Sequence, residues 1–274
     1  MLESVKIDLT GKLALVTGGA SGIGQAIAEE LAKKGSKVII CDVDIDRGQS
    51  VAKSIGGEFR KLDVRDRKLC WETISEIESK TPIEVLVCCA GVVRPCGVFG
   101  FPGVTNNPEA NYGAILDEYQ RENDINVVGY LNVILAVVPK MRERGKGSIC
   151  VIGSGAGDVG LYERFPYCIT KGAVHQLVRA AASDFTKSGA TGLRIFGIAP
   201  ARVLSPLMEN NLNKIEAGKG KAARDLEFKA YGDSQFEGRV LSTKEVADLA
   251  LFQIQANNTS GEILAVGGWK GQPW

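Results

Sequence analysis

The 274-residue sequence has almost no net charge, a single histidine and no long uninterrupted apolar run. A formal net charge of +1 excludes a nucleic-acid or membrane surface that works by bulk electrostatics. The longest apolar stretch, residues 127–138, contains Gly129 and Asn132 and is shorter than the roughly 20 residues that cross a bilayer. Residues 1–12 lack the apolar core and cleavage pattern of a signal peptide. We therefore expect a cytoplasmic protein without nucleic-acid or membrane partners.

Cysteine occurs seven times, but no C-x-x-C pair is present. Cys88 and Cys89 are adjacent on one predicted strand, where alternation sends their side chains to opposite faces. An odd number of scattered cysteines fits reduced thiols in a cytosolic protein better than a disulfide framework. We expect neither a structural zinc site nor another bound metal.

Strand and helix patterns alternate along the chain. The predicted strands are rich in Val, Ile and Leu without polar alternation, which indicates burial on both faces and a parallel sheet covered by helices. They occupy residues 13–16, 37–42, 59–64, 85–90, 148–154, 193–200 and 262–267. Helical patterns lie at 25–34, 44–55, 66–78, 118–144, 165–187 and 243–255. Right-handed crossovers then give an α/β fold with a doubly wound parallel seven-stranded sheet, a single Rossmann-type domain over residues 1–274.

Two segments interrupt this alternation. Residues 94–119 are rich in Gly, Pro and Asn, so we expect no continuous helix there. Residues 204–238 are charged and punctuated by Gly218 and Gly220. Both segments follow the carboxyl end of a predicted strand, where the ligand crevice of such sheets lies. We expect a loop at 94–119 and a lid at 204–238, both bordering the crevice.

A glycine-rich segment from Thr17 to Gly24, T-G-G-A-S-G-I-G, stands between the first predicted strand and the first predicted helix. Backbone N–H groups at a helix start and the helix dipole together form an anion site where a pyrophosphate can bind. Glycine is needed because a side chain would hold the ligand away from the backbone. No Lys-Ser or Lys-Thr pair follows, so this is not a Walker-type phosphate loop. A turn that only reverses the chain is the alternative interpretation.

Asp42 ends the second predicted strand, 18 residues after Gly24. A carboxylate there can accept hydrogen bonds from the adenosine ribose of NAD and would repel the 2′-phosphate of NADP. Arg47 lies a turn into the next helix, and positions 19–21 hold no basic residue. We therefore expect NAD as the cofactor, with a solvated strand-end carboxylate as the alternative.

Tyr167 is the only tyrosine with a lysine, Lys171, four residues further on. On a helix these positions share one face, so the ammonium can approach the phenol. A lysine charge at ~4 Å contributes up to about 4 kcal/mol at an effective dielectric of ~20, or roughly three pKa units. We expect this charge to bring the pKa of Tyr167 close to the working pH. Ser154, thirteen residues earlier at a strand end, can hold a substrate oxygen while Tyr167 exchanges a proton with it.

Together these motifs resemble the short-chain dehydrogenase/reductase family over nearly the whole chain. The resemblance implies that Tyr167 is the general acid/base and that Lys171 lowers its pKa and binds the nicotinamide ribose. It also implies that Ser154 orients the substrate oxygen. Asn126 matches the family's helix-bending asparagine, which anchors a water in the proton relay.

The same resemblance implies a set of cofactor contacts. Asp63 and Val64 match the pair that contacts the adenine, and Ser205 stands where a threonine meets the nicotinamide carboxamide. The positions implied for NAD are Gly18, Ser21, Gly22, Ile23, Gly24, Asp42, Asp63, Val64, Ala90, Gly91, Tyr167, Lys171, Pro200, Val203 and Ser205.

Four positions depart from the family pattern. Cys88 and Cys89 replace two asparagines, so their side-chain hydrogen bonds must be absent or replaced by weaker thiol ones. Ala201 replaces a glycine after Pro200, and Val266 replaces an aspartate. The four catalytic positions are intact, so these changes leave substrate class more open than redox chemistry.

The favoured function is an NAD-dependent oxidoreductase that interconverts a secondary alcohol and a ketone. An NAD-bound isomerase, cyclase or lyase with the same four residues is one alternative, and a non-catalytic NAD-sensing protein is another. We expect Val93 and Arg94 to lie closest to the reacting carbon, beside Ser154 and Tyr167. Arg94 and Arg202 could grip a carboxylate or sulfonate, or could be solvated arginines at the rim.

Two long predicted helices carry more apolar surface than one sheet face should cover. By resemblance to the family, they predict a homodimer or homotetramer with two-fold symmetry. The residues concerned are Val127, Leu131, Leu135 and Val138 in one helix and Val174, Leu177, Ala181 and Phe185 in the other. We expect His175 to be a packed or interface histidine rather than a proton shuttle. Trp269 and Trp274 could cap the pocket or pack at a subunit contact.

Overall fold

The computed structural model describes residues 8–98, 108–256 and 259–268. Its strands are β1 (Leu13–Thr17), β2 (Lys37–Asp42), β3 (Glu58–Lys61), β4 (Ile83–Cys88), β5 (Gly147–Ile152), β6 (Leu193–Pro200), β7 (Val203–Leu204), β8 (Leu241–Ser242) and β9 (Ile263–Val266). Seven of them form one sheet in the order β3-β2-β1-β4-β5-β6-β9, and every neighbouring pair is parallel. The predicted seven-stranded parallel sheet is therefore confirmed, and its strand order reverses between β1 and β4.

Helices cover both faces of the sheet. They are α1 (Gly22–Lys33), α2 (Ile45–Ser54), α3 (Arg67–Lys80), α4 (Pro108–Asn123), α5 (Gly129–Arg144), α6 (Phe165–Lys187), α7 (Pro206–Lys219), α8 (Lys221–Asp233) and α9 (Thr243–Gln255). Buried side chains of α3, α5 and α6 form one core layer, and those of α1, α2 and α9 form the other. This two-sided burial is why the strands read as continuous apolar runs.

Helix starts follow the capping residues that the sequence offers. Asp44 accepts a hydrogen bond from the Arg47 amide at the start of α2, and Asp66 accepts one from the Leu69 amide at the start of α3. Ser242 begins α9 with a capping box, because its hydroxyl and the Glu245 carboxylate each accept from the other's backbone amide. Such caps satisfy amides that have no intrahelical partner.

The expected loop at 94–119 is wrong in its second half, where α4 begins at Pro108 and includes Gly113. Proline is tolerated at the first position of a helix, because its missing N–H would have no intrahelical partner there. Residues 95–98 are not helical, and residues 99–107 lie outside the described residues, as do Trp269 and Trp274. The predicted lid at 204–238 folds as β7 followed by the helix pair α7 and α8.

Helices α4 and α5 are joined by a π-helical turn, Asp124–Val128, into one long helical segment. The part from Asn111 to Arg144 has a mean hydropathy of 1.3 in its most apolar window and is long enough to cross a membrane by length and composition. This helical segment is longer than the apolar stretch at residues 127–138 on which the sequence prediction was based, and that stretch alone remains too short to cross a bilayer. A helix in the core of a soluble protein passes the same test, and Tyr130, Val133 and Met141 are buried against the sheet.

Candidate active site

A cavity of about 620 Å³ opens beyond the carboxyl ends of the parallel strands. It lies where the strand order reverses, as predicted for a doubly wound sheet. The predicted site residues in its lining are Gly18, Ser21, Gly22, Ile23, Asp42, Asp63, Val64, Ala90, Gly91, Val93, Ser154, Tyr167, Lys171, Pro200, Val203 and Ser205. Three others, Gly24, Asn126 and Arg94, are not in the lining.

Glycines keep the β1–α1 turn free of side chains. Gly18 has a φ of 67°, and a Cβ on it would lie 2.7 Å from the Ala90 backbone. Gly22 has a φ of 58°, and a Cβ on it would face Pro206, another lining residue, at 3.6 Å. A Cβ on Gly24 would lie 2.2 Å from the Gly18 carbonyl oxygen, so Gly24 permits helix packing rather than ligand contact. At Gly18 and Gly24 backbone already occupies the place of a Cβ, so it is the open side of Gly22 that leaves room for a ligand such as a dinucleotide pyrophosphate.

The amino terminus of α1 faces this cavity. Its N-cap residue, Ser21, makes no side-chain cap hydrogen bond, and the first turn holds no acidic side chain. The amide groups and the positive end of the helix dipole are therefore available to an anion.

Asp42 is fixed at the edge of the glycine turn. Its Oδ2 accepts a hydrogen bond from the Ala20 amide at 3.0 Å, and its Oδ1 accepts one from the Asp44 amide at 3.0 Å. Arg47 is held by Asp44, with Nε 2.9 Å from Oδ2. The Asp42 carboxylate in the cavity lining is thus oriented, while the nearby Arg47 is already paired with Asp44.

Asp63 and Val64 follow β3 and line the cavity. The Arg65 guanidinium grips the Asp63 carboxylate at 2.5–3.1 Å, and this hydrogen bonding holds the pKa of Asp63 below its ordinary value. Val64 is buried, and its carbonyl accepts a hydrogen bond from Asn132 Nδ2 at 2.8 Å. The pair therefore presents an ordered wall to the cavity.

Thr17 joins the ends of β1 and β4. Its hydroxyl donates to the Val87 carbonyl at 3.3 Å and accepts from the Cys89 amide at 3.2 Å. Cys88 packs in one core layer and Cys89 in the other, as strand alternation predicts. Burial raises the pKa of the Cys89 thiol to about 12, while a hydrogen bond from the Gly24 amide opposes that rise. A thiol thus occupies the place of the family's asparagine and still receives one backbone hydrogen bond.

Tyr167, Lys171 and Ser154 meet on one wall of the cavity. Tyr167 and Lys171 are one turn apart near the start of α6, and the Ser154 side chain lies close enough to that of Tyr167 to lower its pKa. Lys171 Nζ donates to the Ile152 carbonyl at 2.8 Å and lies 5.7 Å from the centre of the Tyr167 ring. A phenol, a hydroxyl and an ammonium group therefore face the same space.

The expected effect of Lys171 on the pKa of Tyr167 is wrong for this arrangement. Burial raises the pKa of Tyr167 to about 12, and the Ser154 side chain opposes it. Burial also lowers the pKa of Lys171 to about 8. The prediction counted the attraction between charges and neglected the desolvation of both groups, which disfavours their charged forms.

Asn126 lies in the π-helical turn, as expected for a helix-bending asparagine, and is fully buried. Its Nδ2 donates to the Val92 carbonyl at 2.9 Å and to Thr170 Oγ1 at 3.2 Å. Its Oδ1 accepts from the Val92 amide at 2.8 Å. The side chain therefore holds the segment after β4 against α6, and it acts on the site through its neighbours.

Glu122, one turn before Asn126, binds the same segment. Its Oε1 accepts from the Arg94 amide at 2.8 Å. The carboxyl group is fully buried, its Oε2 has no hydrogen-bond partner among the described residues, and burial raises the pKa of Glu122 to about 7. The Arg94 side chain is exposed, 3.7 Å from Glu118. The expectation that Arg94 would lie beside the reacting carbon is therefore wrong; only Val93 lines the cavity.

His175 is packed, as expected. Its ring is 1 % exposed, Nδ1 lies 3.1 Å from Asp158 Oδ1, and Nε2 accepts from the Ser154 amide at 3.4 Å. Burial lowers the pKa of His175, although Asp158 opposes this. The neutral ring fits both contacts and supports the backbone that carries Ser154.

Sequence reasoning named Arg202 but missed Arg164 and Tyr231, which line the same cavity as Met208. The Arg202 guanidinium lies 4.4 Å from the centre of the Tyr231 ring. These residues come from separate segments and share no short motif. Arg164 had one available signal, its position three residues before Tyr167. Among residues 8–98, 108–256 and 259–268, no cluster of three or more potential metal ligands occurs.

Comparison with known proteins gives three kinds of similarity. The sequence model of short chain dehydrogenases matches residues 12–216. A 2-keto-3-deoxy-L-fuconate dehydrogenase of Xanthomonas campestris pv. campestris is 30% identical over 270 residues, covering 95% of this chain and 81% of that protein.

Among solved structures, one described as ribose-5-phosphate isomerase from Brucella melitensis has a TM-score of 0.82 and 26% identity, with 96% of this chain and 93% of that chain covered. L-sorbose reductase from Gluconobacter frateurii, whose structure contains NADPH and L-sorbose, has a TM-score of 0.83 and 22% identity, with 98% and 100% covered. The similarity to L-sorbose reductase shows a common fold.

Proposed function

Because the chain belongs to the short chain dehydrogenase family, whose oxidoreductases bind a nicotinamide cofactor, we propose that it interconverts a secondary alcohol and a ketone with NAD. The observation that carries this proposal is one shared cavity. Its lining contains the glycine turn and Asp42 at one end and Ser154, Tyr167 and Lys171 at the other.

The chain's own residues would hold NAD along this cavity. The amino terminus of α1 would bind the pyrophosphate, and Asp42 would accept hydrogen bonds from the adenosine ribose. Lys171 would bind the nicotinamide ribose, and Ser205 would lie at the carboxamide end. When bound, the nicotinamide supplies or accepts the hydride.

Tyr167 would transfer the proton at its phenolic oxygen, and Ser154 would hold the substrate oxygen beside it. The presence of both side chains in the lining of one cavity supports this division of roles. Asn126, held by Val92 and Thr170, would keep the surrounding backbone in place.

NAD is favoured over NADP by the charge at the ribose site. The Asp42 carboxylate is fixed by the Ala20 and Asp44 amides, so it cannot turn away from a 2′-phosphate without losing them. Arg47, the nearby cation on α2, is bound to Asp44. Initial rates with NAD and NADP over a panel of secondary alcohols test this choice. Equal or better kcat/KM with NADP would contradict it.

A cofactor-bound isomerase is the second candidate, supported by the description of the similar Brucella melitensis structure as an isomerase. Net formation of NADH from an alcohol separates the two, because an isomerase returns its cofactor unchanged. A non-catalytic sensor has no need of the Ser154–Tyr167 pair. NADH binding without turnover of any alcohol or ketone would favour the sensor.

We also propose a two-fold symmetric homodimer or homotetramer. Leu131 and Leu135 of α5 are exposed, which supports this surface as a contact. Val174 and Phe185 of α6 are buried in the core, so their expected place at the contact is wrong. They face the sheet and have no surface left for a second subunit. Light scattering at micromolar concentration tests the proposal, and a monomer mass would contradict it.

A further inference from the structure

His175 lies on the same face of α6 as the tyrosine and the lysine of the cavity. Tyr167, Lys171 and His175 are spaced four residues apart, so they follow one another along one side of the helix. Lys171 Nζ donates to the Ile152 carbonyl at 2.8 Å, and the Ser154 amide donates to His175 Nε2 at 3.4 Å. Helix α6 therefore contacts the end of β5 at two successive turns, and His175 makes the contact at Ser154.

The three backbone and side-chain polar groups of Ser154 each have a different partner. The Ser154 hydroxyl accepts from the Ala156 amide at 3.1 Å, and the Ser154 carbonyl accepts from the Gly157 amide at 2.9 Å. Both partners belong to the short turn that Ser154 caps. Of these three bonds, the one from the Ser154 amide to His175 reaches α6. His175 therefore links this turn to the helix that carries the phenol.

Two glycines make room for the His175 ring. A Cβ on Gly153 would lie 2.5 Å from Nε2, and a Cβ on Gly157 would lie 2.7 Å from Nδ1. Both distances are too short for a real Cβ, and the ring is buried, so it has little space to move. The position of Ser154, which follows Gly153 directly, therefore depends on the position of the ring.

Asp158 determines which ring nitrogen carries the proton. Its Oδ1 lies 3.1 Å from Nδ1, and an ionised carboxylate can only accept. The proton of the neutral ring is therefore on Nδ1, which leaves Nε2 as an acceptor. Burial lowers the pKa of His175, and the charges of Lys171 and Arg179 act in the same direction, whereas Asp158 raises it.

Other elements packed against α6 also bring groups near this region. Glu122 of α4 has a pKa of about 7, and its charge acts on Tyr167 and Lys171. β6 contributes the Ile198 carbonyl, which accepts from the Gly153 amide at 2.8 Å. Ionisation of Glu122 must therefore be separated from that of His175 in any test of pH dependence.

We propose that His175 is a positioning residue for the reaction: its neutral ring, oriented by Asp158, holds the Ser154 amide and so places the Ser154 hydroxyl beside Tyr167. This inference rests on the proposed oxidoreductase function and adds two residues that do not line the cavity. Protonation of the ring would turn Nε2 into a donor that faces the Ser154 N–H. The turn would then lose its bond to α6.

The chain has one histidine, so one imidazole gives all the ring signals in an NMR spectrum. The isotope-labelled protein is prepared without a histidine tag. Proton–nitrogen spectra of the ring should show the Nδ1–H tautomer at neutral pH and a midpoint below the ordinary 6.5. The Ser154 amide signal should shift with the same midpoint. The Nε2–H tautomer, or a Ser154 amide that does not follow the ring, overturns the inference.

Asp158 variants test the orientation of the ring without removing it. Asp158→Ala should populate the Nε2–H tautomer and lower the midpoint of His175 further, because the carboxylate raises it. We expect kcat to fall about two- to tenfold, the range for one lost hydrogen bond, with NADH affinity within about twofold. Asp158→Asn keeps an acceptor for Nδ1–H and should recover most of the loss. An unchanged tautomer or an unchanged kcat in Asp158→Ala overturns the inference.

His175 variants test the acceptor itself. His175→Gln keeps a polar atom in reach of the Ser154 amide, whereas His175→Leu fills similar space without an acceptor. We expect kcat to be at least about threefold lower in the leucine variant than in the glutamine variant. Val174→Ala, at the preceding buried residue of α6, is the control for lost packing and should keep kcat within about twofold. Equal kcat in the two His175 variants contradicts the assignment.

The pH dependence of kcat is measured for ketone reduction in the Glu122→Gln background, with the ketone of the best alcohol in the panel. Tyr167 and Lys171 stay protonated at acidic pH, because their pKa values are about 12 and about 8. The kcat should therefore fall with the midpoint of the ring, and His175→Gln should remove this fall. An acidic fall that persists in His175→Gln overturns the inference.

The NMR and kinetic measurements separate this inference from the proposed function. A Ser154 amide that follows the ring, in a protein that turns over no alcohol or ketone, would refute the oxidoreductase function and leave the link between His175 and Ser154 intact. Turnover by a protein whose Ser154 amide does not follow the ring would support the function and overturn the inference. NADH affinity equal to that of the unaltered protein shows that each variant is folded.

Discussion

The two halves of the cavity are built in different ways. The half at the glycine turn, where we propose that the cofactor binds, is called the cofactor half. It is shaped mainly by backbone: Gly18 and Gly22 keep positive φ angles, and Asp42 is oriented by two amides. The other half, where we propose that the substrate binds, is called the substrate half. It is lined by long side chains, such as Arg164, Arg202 and Tyr231, brought together from segments far apart in sequence. The first half is specified by short stretches next to the sheet. The second depends on how distant loops and the lid pack.

This difference determines how each half should respond to change. Because the cofactor half is shaped mainly by backbone, few substitutions can remove a contact from it. It can be changed mainly by adding a side chain at a glycine or by removing the Asp42 carboxylate. A wall of side chains can be changed one group at a time without disturbing the sheet. Each variant tests whether the two halves can be altered independently, and the expected effects decrease from Tyr167→Phe to Glu122→Gln.

The largest effect is expected for Tyr167→Phe, which removes only the phenolic oxygen. Turnover should fall about 10³-fold, within the range for a positioned acid/base group, while NADH affinity stays within about twofold. Stopped-flow kinetics and fluorescence titration with NADH measure the two quantities. Residual turnover above a few per cent would assign the proton transfer to another group. The distinction between a cofactor half and a substrate half that contains Tyr167 would then fail.

Lys171→Ala should affect both halves, because its ammonium faces Tyr167 and would bind the nicotinamide ribose. We expect turnover to fall about 100-fold and NADH affinity about tenfold, as for the loss of a charge-assisted hydrogen bond. Lys171→Met is the matched variant, because it keeps the length of the buried stem. A fall in turnover without any change in NADH affinity would show that Lys171 belongs to the substrate half alone.

Asp42→Ala should change only the cofactor half. The preference for NAD over NADP should fall about tenfold, since a hydrogen bond to a charged group contributes about 1.5–3 kcal/mol. The preference among alcohols should stay the same. Steady-state kcat/KM values with both cofactors measure the first effect, and a fixed panel of alcohols measures the second. Asp46→Asn, at an exposed position in the first turn of α2 outside the cavity lining, is the control that leaves both Asp42 and the Asp44–Arg47 pair in place.

The smallest effect is expected for Glu122→Gln, at the boundary between the halves. The pKa of Glu122 is raised from 4.5 to about 7, so its stabilising contribution is full below pH 4.5 and is lost as the pH rises through 7. The amide cannot ionise and still accepts from the Arg94 amide. We expect the variant to unfold at a temperature roughly 2–4 °C higher at pH 8, for a gain of about 1 kcal/mol. Glu76→Gln, an exposed partner of Lys80, should not change this pH dependence.

The fold and the cofactor half could be predicted from the sequence because their determinants are local. β2, β6, α6 and α9 occupy the predicted residues, since apolar runs and caps act within a few residues. The positions lining the cavity near the glycine turn followed from one motif. The start of α4 was missed because Pro108 was counted as a helix breaker, although the first turn accepts proline.

The substrate half could not be predicted in the same way. Arg94 was placed in it from its distance along the chain, but the Glu122–Arg94 hydrogen bond leaves Val93 in the lining instead. Arg202 was considered and Arg164 was not, and only the packing of Tyr231 shows how this wall is built. The pKa of Tyr167 was mispredicted for a related reason. Sequence spacing indicates which charged residues lie near a group, but it does not give the desolvation of that group on burial.

The Thr17 hydroxyl bonds to the Val87 carbonyl and the Cys89 amide. These two bonds extend the hydrogen bonding between β1 and β4 beyond the end of their backbone pairing. The strand ends at the base of the cavity are therefore held together before any ligand binds. Amide hydrogen exchange in β1 and β4 should then change little when a dinucleotide binds, and the ordering on binding should concentrate in the lid helices α7 and α8. The sheet is therefore expected to be rigid in the free chain, and the conformational entropy lost on ligand binding is expected to come mainly from α7 and α8.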